Sequence, residues 1–218
     1  MIKIENTAIF GWEAAIRGMR NPKNSWDKSD SRYVMFDSEI GYGAYVIGDN
    51  DMKLMKTLAK AGSDHGKFLR MINITCDITA PLYWWKEFDT YKVGTVANSC
   101  STMHKIAAKE FTLDDFSAEH LVGKSIAALQ NVIDVMNFER EHFLITKDKD
   151  CWWQMIQLLP SSYNQRRTIQ MNYEVVRRIY HARKAHKLDE WRETFCDWVR
   201  DLPYAKELII GEENVSES

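Results

Sequence analysis

No stretch of the 218-residue chain approaches the roughly 20 consecutive apolar residues that span a bilayer. The opening Met1-Ile2-Lys3-Ile4-Glu5-Asn6 also lacks the apolar run of a signal peptide, so a cytoplasmic protein without a membrane partner is the expectation. Neither sign of charge dominates: 29 Lys and Arg against 31 Asp and Glu leave a formal net charge of -2. That argues against general nucleic-acid binding, while leaving room for a local basic pocket that takes one phosphorylated small molecule. Cys76, Cys100, Cys151 and Cys196 include no C-x-x-C pair, so reduced thiols are expected, and neither a disulfide framework nor a zinc site. His181 and His186 are five apart, the wrong spacing for one helical face, and no metal is expected there.

Apolar side chains are plentiful. They make up 45% of the sequence, with eight Trp and nine Tyr, enough for a sizeable core in a single domain over 1–211. Residues 212–218 are expected to form a disordered tail. Phe10 to Arg20 reads as a helix stopped by Asn21-Pro22, followed by a surface loop to Arg32. Val34 to Ile47, with Gly41 and Gly43, reads as strand and turn. Asp49 or Asp51 is placed to cap a helix with Met52, Leu54, Met55, Leu58 and Ala59 on one side, and Gly62 is its stop. Ile72 to Thr79 alternates apolar and polar, the period of a half-buried strand. Ala80-Pro81 breaks it and opens a helix from Leu82 to Tyr91. Gly94 to Thr102, small and hydroxylated, reads as loop or strand. Helices are expected over Ser117–Phe143, with Leu121 among its apolar members, and over Trp152–Leu159, Asn164–Lys184 and Asp189–Leu202. The class is α+β with a helical second half. In each of Trp84-Trp85 and Trp152-Trp153, one member is expected to face the core, because adjacent helical residues point about 100° apart.

Several short motifs occur in a particular order. His65 precedes the strand that ends at Ala80-Pro81. The turn Thr90-Tyr91-Lys92-Val93-Gly94-Thr95 follows a helix, and Asn98-Ser99-Cys100-Ser101-Thr102-Met103-His104 comes next. Later come Leu159-Pro160, Met171-Asn172, Arg183 eleven positions after Asn172, and Asp189-Glu190-Trp191-Arg192. This order resembles the flavin-dependent thymidylate synthases over about two thirds of the chain. That family has an Arg-His-Arg-x-x-Ser turn, an Asn-Glu-x-Ser-x-Arg-Tyr tail, and a Leu-Pro, Asn and Leu-Arg layout. The resemblance implies the thymidylate synthase-complementing (ThyX-like) fold, a central antiparallel sheet with a long-helix C-terminal half. It also implies a homotetramer with active sites built from several chains.

The departures are specific. Thr90 and Lys92 replace the two arginines of the turn, and Lys92 offers a point charge without bidentate geometry. Ser99, Met103 and His104 replace Glu, Arg and Tyr of the tail. Glu87 stands for the helix glutamine, and Lys67 and Arg70 are added bases. Upstream of Leu159-Pro160, where the family has a further arginine, the chain has Gln154, Ile156 and Gln157.

The implied reaction methylates C5 of dUMP or a related pyrimidine nucleotide. It uses FAD, with NADPH and methylenetetrahydrofolate as co-substrates. Reduced flavin delivers hydride, so the protein supplies stacking, phosphate-binding cations and a positive group at the base, not a nucleophile. The resemblance assigns catalytic roles to Ser101, on the nucleotide phosphate, and Arg183, on the base. It places His65, Lys67, Lys92, Thr95 and Asn172 on the flavin, and Glu87, Asn98 and Ser99 with Ser101 and Arg183 on the substrate. A second reading is a retasked, non-catalytic nucleotide-binding homologue.

Plainer readings stand beside these. Arg183 within His181-Ala182-Arg183-Lys184 also reads as a solvated helix end. Arg166-Arg167 and Arg177-Arg178, on or beside one long helix, read as a solvated face, as subunit salt bridges, or as an anion site. Cys100 and His104 suggest an activated thiol, but a buried structural cysteine is the preferred reading.

Overall fold

The computed structural model describes residues 1–37, 39 and 42–211. The expected tail over 212–218, and turn residues 38, 40 and 41, lie outside the described residues. The described strands are β1 (Lys3–Phe10), β2 (Arg32–Asp37), β3 (Tyr42–Val46), β4 (Asn73–Pro81), β5 (Thr95–Ser99) and β6 (Asn164–Asn172). They form a four-stranded sheet in the order β1-β4-β6-β5 and an antiparallel β2-β3 hairpin in which Val34 pairs with Ala44. The described helices are α1 (Trp12–Arg20), α2 (Asp49–Lys60), α3 (Leu82–Phe88), α4 (Thr102–Lys105), α5 (Lys124–Thr146), α6 (Lys149–Leu158), α7 (Tyr173–Arg183) and α8 (Cys196–Arg200). A 3-10 helix spans Gly66–Met71, and wide π-type turns span Glu190–Phe195 and Lys206–Ile210. The class is α+β. No helix among the described residues is long and apolar enough to cross a membrane.

The chain divides into two compact units. Unit 1 is Met1–Glu5, Asp77–Thr90 and Ala97–Ile169; unit 2 is Asn6–Cys76, Tyr91–Val96 and Gln170–Ser218. In unit 1, Leu129, Ile133 and Met136 of α5 and Met155 of α6 are buried with Ile106, Phe111 and Phe116. Leu121 lies ahead of α5 and is exposed, because the helix begins only after Gly123. Trp84 and Trp85 are both buried, against the expectation of one. Trp84 stacks on Phe88, while the Trp85 indole N–H donates to the Gln165 carbonyl at 2.9 Å. Trp152 is half-buried and Trp153 is exposed.

In unit 2, α1, α2 and α7 pack on the 3-10 helix, with Ile16, Met55, Leu69, Val176 and Ile179 buried. Helix α1 starts at Gly11, where φ is +98° and a Cβ would lie 2.1 Å from the Met71 carbonyl oxygen. Only glycine tolerates both. The Asp49 or Asp51 cap is corrected. Gly48 is the N-cap of α2, and Asp30 accepts from the Asn50 and Asp51 backbone N–H groups at 2.9 and 3.1 Å. The Asp51 carboxylate turns inward to Arg20 instead, 2.6 Å from its Nε.

One further expectation fails for a physical reason. The segment from Asn164 is strand β6 before it is helix: Ile169 and Met171 are buried while Thr168 and Gln170 are exposed. Asn172 then caps the first turn of α7. Arg166 and Arg167 are therefore strand residues, bonded to Asp77 at 2.8 Å and Asp89 at 2.7 Å. The expected helix from Asp189 is present, in π form over Glu190–Phe195 and in α form over Cys196–Arg200.

Candidate functional site

The site in unit 2 is built on α7. Val175, Val176, Ile179 and Tyr180 are buried on one side. Glu174, Arg177, Arg178 and His181, at i, i+3, i+4 and i+7, occupy the other. Asn172 Oδ1 accepts from the Val175 N–H at 3.0 Å, satisfying one of the orphan donors of the first turn. The turn Val93-Gly94 lies against that end. Gly94 has φ +84°, and a Cβ there would stand 2.9 Å from Val175 Cγ2 and 3.1 Å from Asn172 Nδ2. A glycine is required for so close an approach. Thr95 Oγ1 donates to the Tyr91 carbonyl at 2.6 Å and closes the turn.

Together with the C-terminal end of α2 and the start of the 3-10 helix, these segments line a cavity of about 520 Å³. Its side chains include Lys60, Arg70, Arg177 and Arg178 against one carboxylate, Glu174. Arg70 grips both oxygens of Glu174, with Nη2 to Oε1 at 3.0 Å and a second bond from Nε to Oε2. That hydrogen bonding and the carboxylate charge raise the Arg70 pKa further. Arg177 Nη1 donates to the Ala59 carbonyl at 2.8 Å, a cation at the negative end of α2. The Arg178 guanidinium is 5.9 Å from the Tyr91 ring centre.

Arg183, at the end of α7, is not among the residues lining the cavity. Its Nε donates to the Tyr91 hydroxyl at 2.9 Å, and its guanidinium lies 5.5 Å from the Tyr91 ring and 4.9 Å from the Trp191 ring. Two guanidiniums thus share one tyrosine face system. Chemically, the cavity is suited to an anion, because cations line the pocket.

The residues singled out from the sequence fall into two groups. Asn172 lines the unit 2 cavity, while Lys92, exposed, and Thr95 flank its Val93-Gly94 turn. His65 and Lys67 are exposed on either side of the lining residue Gly66 and do not line the cavity themselves. Glu87, Asn98, Ser99 and Ser101 belong to unit 1. There, a cavity of about 410 Å³ is lined by Ser101, Thr102, Lys105, Lys109 and Arg166, among others. Ser101 Oγ accepts from the His104 N–H at 3.1 Å, capping α4, and Lys109 is paired with Asp115. Asn98 and Ser99 are exposed on β5 outside that lining. The Glu87 carbonyl accepts from Thr90 Oγ1 at 2.7 Å. Cys100 is exposed, which overturns the buried structural reading. Its position just beyond edge strand β5 leaves the thiol at the surface.

Lys60, Glu174 and His181 were not singled out as site residues, and Arg70, Arg177 and Arg178 stood open. The signal was present: 174, 177, 178 and 181 share one helical face.

No protein-family model and no curated protein matches the sequence. Solved structures do match. Thymidylate synthase X from Helicobacter pylori with FAD and dUMP aligns at TM-score 0.69 and 11% identity, covering 96% of this chain and 97% of that one. A second structure of that flavin-dependent enzyme, complexed with FAD and dUMP, aligns at 0.67 and 13% identity over 95% and 97%. The UMP/dUMP methylase PolB from Streptomyces cacaoi, bound with 5-Br UMP, aligns at 0.58 and 13% identity over 92% and 89%. This chain has the fold of the flavin-dependent thymidylate synthases.

Proposed function

We propose that this chain is a divergent flavin-dependent thymidylate synthase-like protein that binds FAD through the cation-lined cavity of unit 2. Its substrate is dUMP or a related pyrimidine nucleotide, methylated with NADPH and methylenetetrahydrofolate as co-substrates. The observation that carries this reading is the cavity itself: four cations against one carboxylate, at a glycine turn held to the first turn of α7. Its volume lies within the usual range for small-molecule sites, about 300–1,000 Å³. Lys60, Arg177 and Arg178 hold phosphate oxygens, the Gly94 backbone permits close approach, and Asn172 orders the wall. When bound and reduced, the flavin supplies the hydride. Arg183, braced on Tyr91 and Trp191, supplies positive charge for a pyrimidine ring on which negative charge develops.

In the homotetramer that the resemblance implies, Ser101 with Asn98, Ser99 and Glu87 forms the nucleotide-phosphate part of the site, His65, Lys67 and Lys92 lie on the flavin side, and the location is the cytoplasm. The exposed apolar side chains Val135, Phe138, Leu144 and Ile145 on α5 suit burial by a second copy.

One observation favours the second reading, a retasked nucleotide-binding protein. Glu174 already occupies Arg70, and Thr90, in place of a turn arginine, spends its hydroxyl on the Glu87 carbonyl. The absorbance of freshly purified protein near about 450 nm, with and without added FAD, tests flavin binding. A colourless protein that takes up no FAD and shows no melting shift with dUMP would sink the proposal. Rescue of a thymidine-requiring strain would exclude the retasked reading.

A further inference from the structure

Outside both cavities, one set of three metal-ligating side chains converges among the described residues. Glu139 and His142 lie one helical turn apart on α5, and Cys151 is the third residue of α6. A carboxylate oxygen, an imidazole nitrogen and the Cys151 Sγ all lie within 4.8 Å of one another. We propose that Glu139, His142 and Cys151 form a Zn²⁺ site that clasps the α5–α6 hairpin.

The spacing does not reveal this set in sequence, because the third ligand arrives from the next helix. What brings it there is a tightly bonded two-residue connection, Lys147-Asp148. Lys147, in the left-handed region at φ 60°, donates its N–H to the Phe143 carbonyl at 2.9 Å. The Asp148 N–H donates to Thr146 Oγ1 at 3.1 Å, and Asp148 Oδ1 accepts from the Asp150 N–H at 2.9 Å, capping α6. The helices then pack along their length around Met136 and Met155. Cys151 is thereby set on a rigid frame opposite the 139/142 face. The His142 ring lies 4.2 Å from the Phe138 ring, which limits its orientation.

The ligand types choose the metal. Thiolate and imidazole with one carboxylate suit Zn²⁺, whereas Mg²⁺ and Ca²⁺ prefer oxygen alone. A tetrahedral zinc holds its ligand atoms roughly 3.5 Å apart, given bonds of about 2.0–2.3 Å. From the observed spread, a small rotation of half-buried and exposed side chains closes the site. Three protein ligands leave the fourth position to water. Binding replaces the Cys151 S–H bond with an S–Zn bond and passes the proton to solvent, with no change of oxidation state. The surroundings favour a dication. The Glu139 carboxylate that would ligate the ion sits with the Cys151 sulfur and brings a negative charge to the set.

The test uses the untagged full chain, stripped with chelator, desalted and titrated with Co²⁺. The expected result is a thiolate-to-cobalt charge-transfer band in the near ultraviolet that saturates at one Co²⁺ per chain and is displaced by Zn²⁺. Cys151→Ser should abolish the band, Cys100→Ser should leave it, and His142→Ala and Glu139→Gln should each weaken affinity about tenfold or more. His142 is exposed, so its variant keeps the test valid even if Cys151→Ser folds poorly. Absence of the band in the parent chain overturns the proposal. So does a band unchanged in His142→Ala, or one that persists in Cys151→Ser.

Discussion

Among the arginine–carboxylate pairs of unit 2, two show the same chemistry in opposite settings. Arg20 and Asp51 are 4% and 0% exposed. Arg70 and Glu174 are 54% and 30% exposed, on the wall of the cavity. The buried pair is fully bonded. Arg20 also donates to the Ser25 and Lys28 carbonyls at 3.1 and 3.0 Å, and Asp51 accepts from the Ser29 hydroxyl at 2.7 Å and from the Ser31 hydroxyl at 2.6 Å. It ties the 21–32 segment to α2 and serves the fold. The cavity pair is open to solvent, so its carboxylate competes for Arg70 with any anion that enters. Burial decides whether an ion pair is structure or switchable site chemistry.

The largest effect should come from breaking the buried pair. Asp51→Ala is expected to cost about 3–5 kcal/mol in chemical denaturation, because Arg20 is left as an uncompensated buried charge. A loss below about 1 kcal/mol would erase the distinction between the two pairs. The same pair sets an acid limit. Burial pushes the Asp51 carboxyl up, but hydrogen bonds from Ser31, Ser29 and Arg20 outweigh it and hold the carboxyl below its ordinary 3.8. Its contribution is therefore complete above that unfolded value and disappears as pH falls through the lower folded one. Acid titration of the Asp51→Asn variant should lack that component.

Gly94→Ala comes next, at about 1–3 kcal/mol, because the new Cβ meets Val175 in a left-handed backbone. It should also weaken FAD uptake, measured by absorbance, by deforming the cavity wall. Arg178→Ala should leave the melting temperature nearly unchanged while weakening FAD or pyrophosphate binding by about tenfold in calorimetry, the value of one charge-assisted bond. Unchanged affinity would remove Arg178 from the site. Smallest is Glu174→Gln, with stability shifted by less than about 1 kcal/mol. It should tighten anion binding, since Arg70 then faces the cavity without its carboxylate. Weaker binding instead would make Glu174 a ligand-positioning residue.

Much of this architecture was legible residue by residue. The alternation over Ile72 to Thr79 became β4, in which Ile74, Cys76 and Ile78 are buried. Helix α2 carries Met55 and Ala59 inward and is followed by Gly62 at φ +99°, the stop read from the sequence. Strand β1 escaped because its residues are mostly exposed and lack alternation. The start of β6 escaped because it runs without a break into α7, so two periods merged into one apparent helix. At the site, Asn172 and Gly94 stood in the right order in the chain. That Gly94 lies against the first turn of α7 is a contact between segments far apart in sequence, and no local period encodes it.

The sequence by itself determined the periodic elements, the α+β class and the ordered motifs that resemble the flavin-dependent thymidylate synthases, because these depend on local propensity and spacing. Tertiary structure alone decided which charges are spent and which line a cavity. Arg20 and Arg70 are the same residue type, yet burial by α2 and the 21–32 segment makes one a structural pin, while exposure beside α7 makes the other a site wall. Solvation and the partner brought by distant chain set the energy of a charge, and neither is a property of its neighbours in sequence.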